Sequence, residues 1–259
     1  MCLKRQNIRN RGINLILDYC SFSEKGTREI NQDAVFANAK GGNGLFVVAD
    51  GMGGHSRGEV ASNAVIDALK DWWLSRDDLN DIDEAATSCA EVICNLSEKL
   101  YDDYGKSGER GGTTTALLLV NPEQYRVISI GDSRVYRFGT FDFKRVTEDD
   151  VWENLPEVKS TLSLQEIQAD SRYGMLTAAV GGYRTLSIRI IGGRLGRTEG
   201  FLLCSDGTYR PCGDKKLKKI LSGKPFFDSV RILEKVRACA IESDTQDNFS
   251  AVACRVRKG

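Results

Sequence analysis

Nine short apolar runs, most of them bounded by Gly, Asn or Asp, are the feature that most constrains how this sequence can fold. They are rich in β-branched and aromatic residues, which is typical of β-strands separated by turns. The runs cover residues 15–20, 34–37, 45–49, 113–120, 125–130, 134–138, 186–191, 201–204 and 249–256. Their spacing is that of hairpins and meanders, so antiparallel sheets are predicted in preference to a parallel sheet.

Three segments with a helical apolar period stand among these runs, at residues 60–72, 86–100 and 227–241. The predicted order is strands, a pair of helices, more strands, another helix and a last strand. This order predicts an α+β layered fold with the helices packed outside the sheets. No shift in composition divides the chain, so one domain is expected over residues 1–259. The polar, poorly periodic stretch that begins at Thr147 predicts a surface insertion or flap within residues 147–175.

Charge and cysteine content exclude several classes of protein. Lys plus Arg and Asp plus Glu both number 36, so no basic field favours nucleic acid or an anionic membrane. One histidine and no closely paired cysteines make a Cys/His zinc site improbable, and eight scattered cysteines suit a reducing cytosol. The N-terminal apolar stretch is short and ends in Asp18, so it is a poor signal peptide. We expect a cytoplasmic monomer with no membrane segment and no nucleic-acid partner.

Five aspartates stand at the ends of predicted strands: Asp33, Asp50, Asp132, Asp206 and Asp247. Taken singly, each is explained as well by a turn, because Asp-Gly and Gly-Asp-Ser are strong turn formers. Taken together, several carboxylates at one edge of a core would repel one another unless cations lay between them. The set therefore predicts a cation site.

The surrounding residues indicate which cation and which chemistry. Carboxylate oxygens suit Mg²⁺ or Mn²⁺, and Gly51, which follows Asp50, lets the main chain come close enough to offer its carbonyl. Two such ions roughly 3.5–4 Å apart could bridge and activate a water. Arg28, five residues before Asp33, could offer its guanidinium to a phosphate, although a solvated surface arginine would also explain it.

Seven motifs in a fixed order cover about residues 14–256. They are "RxxNQDA" (28–34), "VADGMGGH" (48–55), "GGTTTALLL" (111–119), "SIGDSRVY" (129–136), "LTAAVGG" (176–182), "LLCSDG" (202–207) and "DNFSAV" (247–252). In this order and spacing the sequence resembles the PPM-type, or 2C-type, metal-dependent Ser/Thr protein phosphatases, and "DGMGGH" resembles bacterial members.

The resemblance implies a four-layer αββα sandwich, in which two antiparallel sheets flanked by helices hold a binuclear Mn²⁺ or Mg²⁺ centre at one end. It also implies roles for single residues. The positions that match metal ligands are Asp33, Asp50, Gly51 through its carbonyl, Asp206 and Asp247. Arg28 matches the phosphate-binding arginine. Asp132 matches the acid that, in bacterial members, helps to hold a third ion together with the aspartate of "SDG", here Asp206. The implied reaction is attack of a metal-bridging water on the phosphorus of phosphoserine or phosphothreonine, in proteins that a Ser/Thr kinase has modified.

Some positions depart from the family pattern. Gln32 stands where many members have glutamate, and Met52 stands where eukaryotic members have a histidine proposed as the general acid, so that acid is unassigned. His55 is explained as well by capping or packing and is not a candidate site residue. Together with a divergent flap, these departures keep open a catalytically weak or inactive regulator that binds a phosphoprotein or kinase. A hydrolase for a small phosphorylated metabolite or a sporulation-type regulatory partner is a further alternative, which would share the site and differ only in the flap.

Overall fold

The structure is a computed structural model that describes residues 15–54, 57–139, 142–222 and 228–258. Its strands are β1 (Leu15–Glu24), β2 (Asp33–Lys40), β3 (Asn43–Gly53), β4 (Gly111–Thr113), β5 (Thr115–Val120), β6 (Gln124–Ile130), β7 (Arg134–Phe138), β8 (Phe143–Arg145), β9 (Arg189–Arg194), β10 (Thr198–Cys204) and β11 (Phe249–Lys258). Its helices are α1 (Arg57–Leu74), α2 (Ile82–Ser107), α3 (Pro156–Thr161), α4 (Leu164–Ala169), α5 (Asp206–Leu221) and α6 (Ser229–Glu242), with a 3₁₀ turn at Trp152–Asn154. The described residues do not include 1–14, so part of the apolar N-terminal stretch that ends in Asp18 lies outside them. They also do not include His55 or Phe227, the first residue of the predicted helical segment 227–241.

The strands form two antiparallel sheets. Sheet I has the order β1-β11-β10-β7-β8, and sheet II has the order β2-β3-β5-β6-β9 with β4 paired to β3. Every strand pair is antiparallel, as the hairpin spacing of the apolar runs predicted.

Three apolar layers explain why the strands read as continuous apolar runs. Along β3, Phe46 and Val48 pack between the sheets, whereas Leu45 and Val47 pack against α1 and α2 on the other face. Because successive strand side chains point to opposite faces, a strand covered on both sides must be apolar at both. Sheet I is covered in the same way by α5 and α6, through residues such as Val236. The predicted αββα arrangement is therefore confirmed.

The helix α5 was not predicted from the sequence. It follows the "LLCSDG" strand directly, but it is rich in lysine and includes Pro211, and at Gly213 the backbone leaves helical geometry (φ 69°). Proline and glycine disrupt a helix, and so the apolar period is broken over its length. Leu217 and Leu221 nevertheless bury its apolar side on sheet I.

The segment 147–175 contains more regular structure than its composition indicated. The 3₁₀ turn, α3 and α4 enclose a small apolar cluster of Trp152, Val158 and Ile167. Its base is fixed to the β6–β7 loop, because Asp150 donates its N–H to the Gly131 carbonyl (2.9 Å) and accepts the Gly131 N–H on Oδ2 (3.1 Å). That this segment acts as a flap stays a prediction.

No helix among the described residues is both long enough and apolar enough to cross a bilayer.

Phe201 tests the packing between the sheets. Its side chain is fully buried, with its ring centroid 4.9 Å from that of Tyr125. Phe201→Ala should lower the free energy of unfolding by about 3–5 kcal/mol in urea denaturation, because a large cavity opens in the core. The control Leu164→Ala, at a side chain that is 69% exposed, should change it by less than about 0.5 kcal/mol. A loss below about 1 kcal/mol for Phe201→Ala would contradict the described packing.

Candidate metal centre and active site

The β2–β3 hairpin places two of the predicted aspartates side by side. Its two-residue connection is Gly41-Gly42, both with positive φ (56° and 84°), as a type I′ turn requires. In the register that this turn sets, Asp33 lies directly opposite Asp50. Residues 17 positions apart in the chain are therefore neighbours at the same end of sheet II.

The segment 111–115 fixes the backbone of Asp50. The Thr114 N–H and the Thr113 hydroxyl both donate to the Asp50 carbonyl (2.8 and 2.9 Å), and the Asp50 N–H donates to the Thr114 hydroxyl (3.1 Å). These bonds explain why Thr113 and Thr114 follow the glycines of "GGTTT" in an otherwise apolar region.

Gly51 is required by a close approach of two backbones. A Cβ atom at this position would lie 2.2 Å from the Gly58 carbonyl oxygen and 2.6 Å from that of Gln32. The first turn of α1 therefore crosses directly over the end of β3. Whether the Gly51 carbonyl binds an ion stays a prediction.

The start of α5 brings Asp206 to the same place. The Ser205 hydroxyl donates to Asp33 Oδ2 (2.8 Å) and accepts the Ser250 N–H (2.9 Å). A Cβ atom at Gly207 would lie 2.1 Å from the Asn248 carbonyl oxygen, so only glycine lets α5 pack this closely against the chain before β11. The helix N-terminus also favours the carboxylate of Asp206, the first residue of α5.

Asp247 is paired with the predicted phosphate-binding arginine. Arg28 Nη2 lies 2.8 Å from Asp247 Oδ2, and the two side chains are 58% and 42% exposed. The other carboxylate oxygen, Oδ1, accepts the Asn248 N–H (2.8 Å). The guanidinium of Arg28 therefore lies at the rim of the site, within reach of solvent.

Asp132 lies in the β6–β7 loop and also meets an arginine. Its Oδ2 accepts a hydrogen bond from Arg210 Nη2 (2.7 Å) and a longer one from the Tyr209 hydroxyl (3.3 Å). The neighbouring Ser133 hydroxyl is hydrogen-bonded to that of Thr114 (2.7 Å), which joins this loop to the segment that fixes Asp50.

The electrostatics of the cluster reflect its crowding. Burial raises the pKa of the Asp33 carboxyl to about 6, and the charge of Asp206 contributes to the shift. Burial, followed by the charges of Asp33 and Asp206, raises the pKa of Asp50 well above its usual range. The pKa of Asp206 is raised by burial and then by Asp132, while Arg210 opposes the shift. Like charges held this close favour neutral acids or bound cations.

These residues surround a cleft of about 620 Å³. Its lining includes Arg28, Asp50, Gly51, Asp132, Asp206 and Asp247 among the predicted residues, and Gln32, Met52, Gly174, Leu176, Arg210 and Asn248 besides. Asp33 is 6% exposed and lies beneath the surface of the cleft. All the predicted site residues therefore converge on one end of the sandwich, and their individual roles stay predictions.

The residues fit a divalent cation. The buried Asp33 Oδ1 has no hydrogen-bond partner within the described residues, so one carboxylate oxygen is available at the centre of the cluster. Within those residues no group of three or more acidic, histidine or cysteine side chains is arranged to hold an ion as it stands. The arginine contacts of Asp206 and Asp247 are consistent with this, because guanidinium groups of Arg210 and Arg28 contact carboxylate oxygens that a cation would need. The donor set is nevertheless one of hard oxygens, as Mg²⁺ and Mn²⁺ prefer.

Two residues of the site were not assigned a role from the sequence. Asn248 is 6% exposed; its amide donates to the carbonyls of Lys25 (2.8 Å) and Ile30 (2.9 Å), and its Oδ1 accepts the Gln32 N–H (2.9 Å). It therefore holds the loop that carries Arg28. The only sequence signal is a polar residue at the edge of an apolar strand in "DNFSAV". Arg210 is the second residue that was not assigned a role. No local sequence pattern identifies it, because its contacts with Asp132 and Asp206 depend on the helix α5.

A family model described as Protein phosphatase 2C matches residues 23–244. The chain belongs to the protein phosphatase 2C family. Among curated proteins, this 2C-family chain is 30% identical over 251 residues to the serine/threonine protein phosphatase PstP of Mycobacterium tuberculosis. That match covers 94% of the chain and 46% of PstP, so the chain spans about half the length of this relative.

Solved structures share the fold of this 2C-family chain. The serine/threonine phosphatase Stp1 from Staphylococcus aureus superposes with a TM-score of 0.81 at 23% identity, over 97% of this chain and 98% of that one. The catalytic domain of PstP in complex with two manganese ions superposes with a TM-score of 0.77 at 24% identity, over 94% and 99% of the two chains.

Asn248 tests whether the loop that carries Arg28 depends on one amide. Asn248→Ala removes three part-buried hydrogen bonds to main-chain groups, so the free energy of unfolding should fall by about 2 kcal/mol or more. Hydrogen exchange should accelerate over residues 25–32. The exposed Asn63→Ala should change the stability by less than about 0.5 kcal/mol. Unchanged exchange in Asn248→Ala would contradict this role.

Proposed function

We propose that this 2C-family chain is a metal-dependent phosphatase that hydrolyses phosphoserine and phosphothreonine in proteins. The observation that carries the proposal is the convergence of Asp33, Asp50, Asp206 and Asp247 on an open cleft that Arg28 also lines. The names of the relatives, which are serine/threonine protein phosphatases, support the substrate class.

The proposed ligands are the carboxylates of Asp33, Asp50, Asp206 and Asp247 and the carbonyl of Gly51. They would hold two Mn²⁺ or Mg²⁺ ions, for which the manganese-bound PstP structure is the supporting precedent. When bound, such ions supply Lewis acidity and lower the pKa of a coordinated water. The raised pKa values of the carboxyls support this assignment, because a cluster that resists ionisation gains most from a bound cation.

The chain itself positions the phosphate. Arg28 is exposed at the rim and offers a planar, permanently charged donor group to two phosphate oxygens, while Asn248 fixes the loop behind it. Its bond to Asp247 is half-exposed, so exchanging this partner for a phosphate costs little. Met52 lines the cleft and carries no transferable proton, so this side chain does not protonate the leaving oxygen.

The wider setting is also proposed. We assign residues 1–259 to one phosphatase domain, with 147–175 as the flap beside the cleft, where Gly174 lies in its lining. Cys20, Cys204 and Cys254 are buried free thiols, which supports a reducing, cytoplasmic location. The substrates would be targets of a Ser/Thr kinase, and the chain would act as a monomer.

Asp50 is the sharpest test of the metal centre. Asp50→Asn should lower Mn²⁺-dependent hydrolysis of a phosphothreonine peptide by more than about hundredfold, beyond what is usual for residues that only orient metal ligands. The metal-free variant should not lose melting temperature, because asparagine replaces a carboxyl whose ionised form is disfavoured by burial and by the charges of Asp33 and Asp206. Asp83→Asn, at a surface aspartate paired with Arg126, is the control and should retain full activity. Activity retained in Asp50→Asn would refute the assignment.

Arg28 tests substrate binding. Arg28→Ala should lower kcat/KM for the phosphopeptide about tenfold to hundredfold, mainly through KM, since a charged hydrogen bond is worth about 1.5–3 kcal/mol. Arg28→Lys should recover part of the loss. Affinity for Mn²⁺ should not weaken, because Asp247 loses a competing cation. Arg76→Ala, at an arginine paired with Glu84, is the control. An unchanged kcat/KM in Arg28→Ala would rule out phosphate binding at this position.

A further inference from the structure

Arg210 joins Asp132 and Asp206, the two acids that the resemblance to 2C-type phosphatases implies for a third metal ion. Its Nη2 lies 2.7 Å from Asp132 Oδ2, and its Nε lies 3.2 Å from Asp206 Oδ2. One guanidinium therefore contacts carboxylates from two separate parts of the chain. The inference drawn here rests on the proposed function and concerns the number of ions at its site.

The two acids need a positive charge between them. Their side chains are only 7% and 24% exposed, so water screens their repulsion poorly. The arginine side chain is 52% exposed and reaches them from the cleft, which it lines. A guanidinium is charged at every physiological pH and donates to two acceptors at once, so without a bound ion it offsets one of the two negative charges and holds both carboxylates.

The contacts around Arg210 are built into the fold. Asp206 and Arg210 are four residues apart on α5, which places them on the same face of the helix. Asp132 is held in turn by the Tyr209 hydroxyl, and the guanidinium carbon of Arg134 lies 3.7 Å from the centre of the Tyr209 ring. Arg134 is itself tied to the nearly buried Asp149 (2.6 Å) in segment 147–175. Asp132 therefore presents its Oδ2 from a rigid position.

We infer that the guanidinium of Arg210 takes the place of a third divalent ion between Asp132 and Asp206, so that this chain binds two metal ions and not three. Arg210 is a positioning residue that reduces the repulsion between the two acids and orients them. Removing it uncovers a weaker third cation site made by the same two carboxylates.

The test counts Mn²⁺ ions bound to the full chain by calorimetric titration, with electron paramagnetic resonance of free Mn²⁺ as a second readout. The unaltered chain should bind two ions. Arg210→Ala and Arg210→Met should each bind a third with lower affinity, and Arg210→Ala combined with Asp132→Asn should return to two. Arg210→Met keeps the long side-chain stem, which protects against loss of packing.

Arg184→Ala is the matched control, because Arg184 also bridges two carboxylates, Glu98 (2.7 Å) and Asp102 (3.0 Å), but on the exposed surface of α2. It should leave the count at two. Three ions on the unaltered chain, one of them lost in Asp132→Asn, would overturn the inference while leaving the proposed function intact. A count of two in folded Arg210→Ala and Arg210→Met, shown by unchanged circular dichroism, would also overturn it. No Mn²⁺ binding to the unaltered chain would overturn the inference together with the proposed function.

Discussion

The repulsion among aspartates at one end of the sandwich is the constraint on which the site depends. The register of the β2–β3 hairpin sets Asp33 opposite Asp50, and α5 delivers Asp206 beside them. Such an arrangement opposes folding unless the scaffold holds it. The scaffold does so through close backbone crossings at Gly51 and Gly207 and through hydroxyl groups that donate to the acids or fix their backbone. Gly51, Gly207, Thr113 and Thr114 therefore serve as structural support for the carboxylates.

The acids divide into an inner and an outer part. The inner pair, Asp33 and Asp50, interact with each other and have raised pKa values. The outer acids meet arginines: Asp247 pairs with Arg28 and Asp132 with Arg210, while Asp206 lies between the two parts. This division suggests different roles for the inner acids and for the arginines that pair with the outer acids. The inner acids are the strongest candidates for metal ions, and the outer arginines line the cleft and offset part of the remaining charge.

Sequence patterns predicted the parts of this site that depend on local order. An aspartate at the end of an apolar run can be recognised in the sequence, because strand ends and turns favour particular neighbouring residues. The antiparallel pairing of the strands was predicted from their hairpin spacing. Asn248 was not assigned a role, because its amide bonds to Lys25 and Ile30 join residues more than 200 positions apart. Arg210 was overlooked because α5 was not predicted, so its spacing to Asp206 carried no meaning. Contacts that depend on tertiary packing could therefore not be predicted from local sequence patterns.

Anomalous diffraction at the manganese absorption edge, from crystals of the full chain soaked in Mn²⁺, tests the central claim most directly. The account predicts two anomalous peaks among Asp33, Asp50, Asp206 and Asp247, and no peak between Asp132 and Asp206, where the Arg210 guanidinium lies. Peaks confined to other parts of the surface, or none at saturating Mn²⁺, would contradict the claim that these acids converge to bind cations.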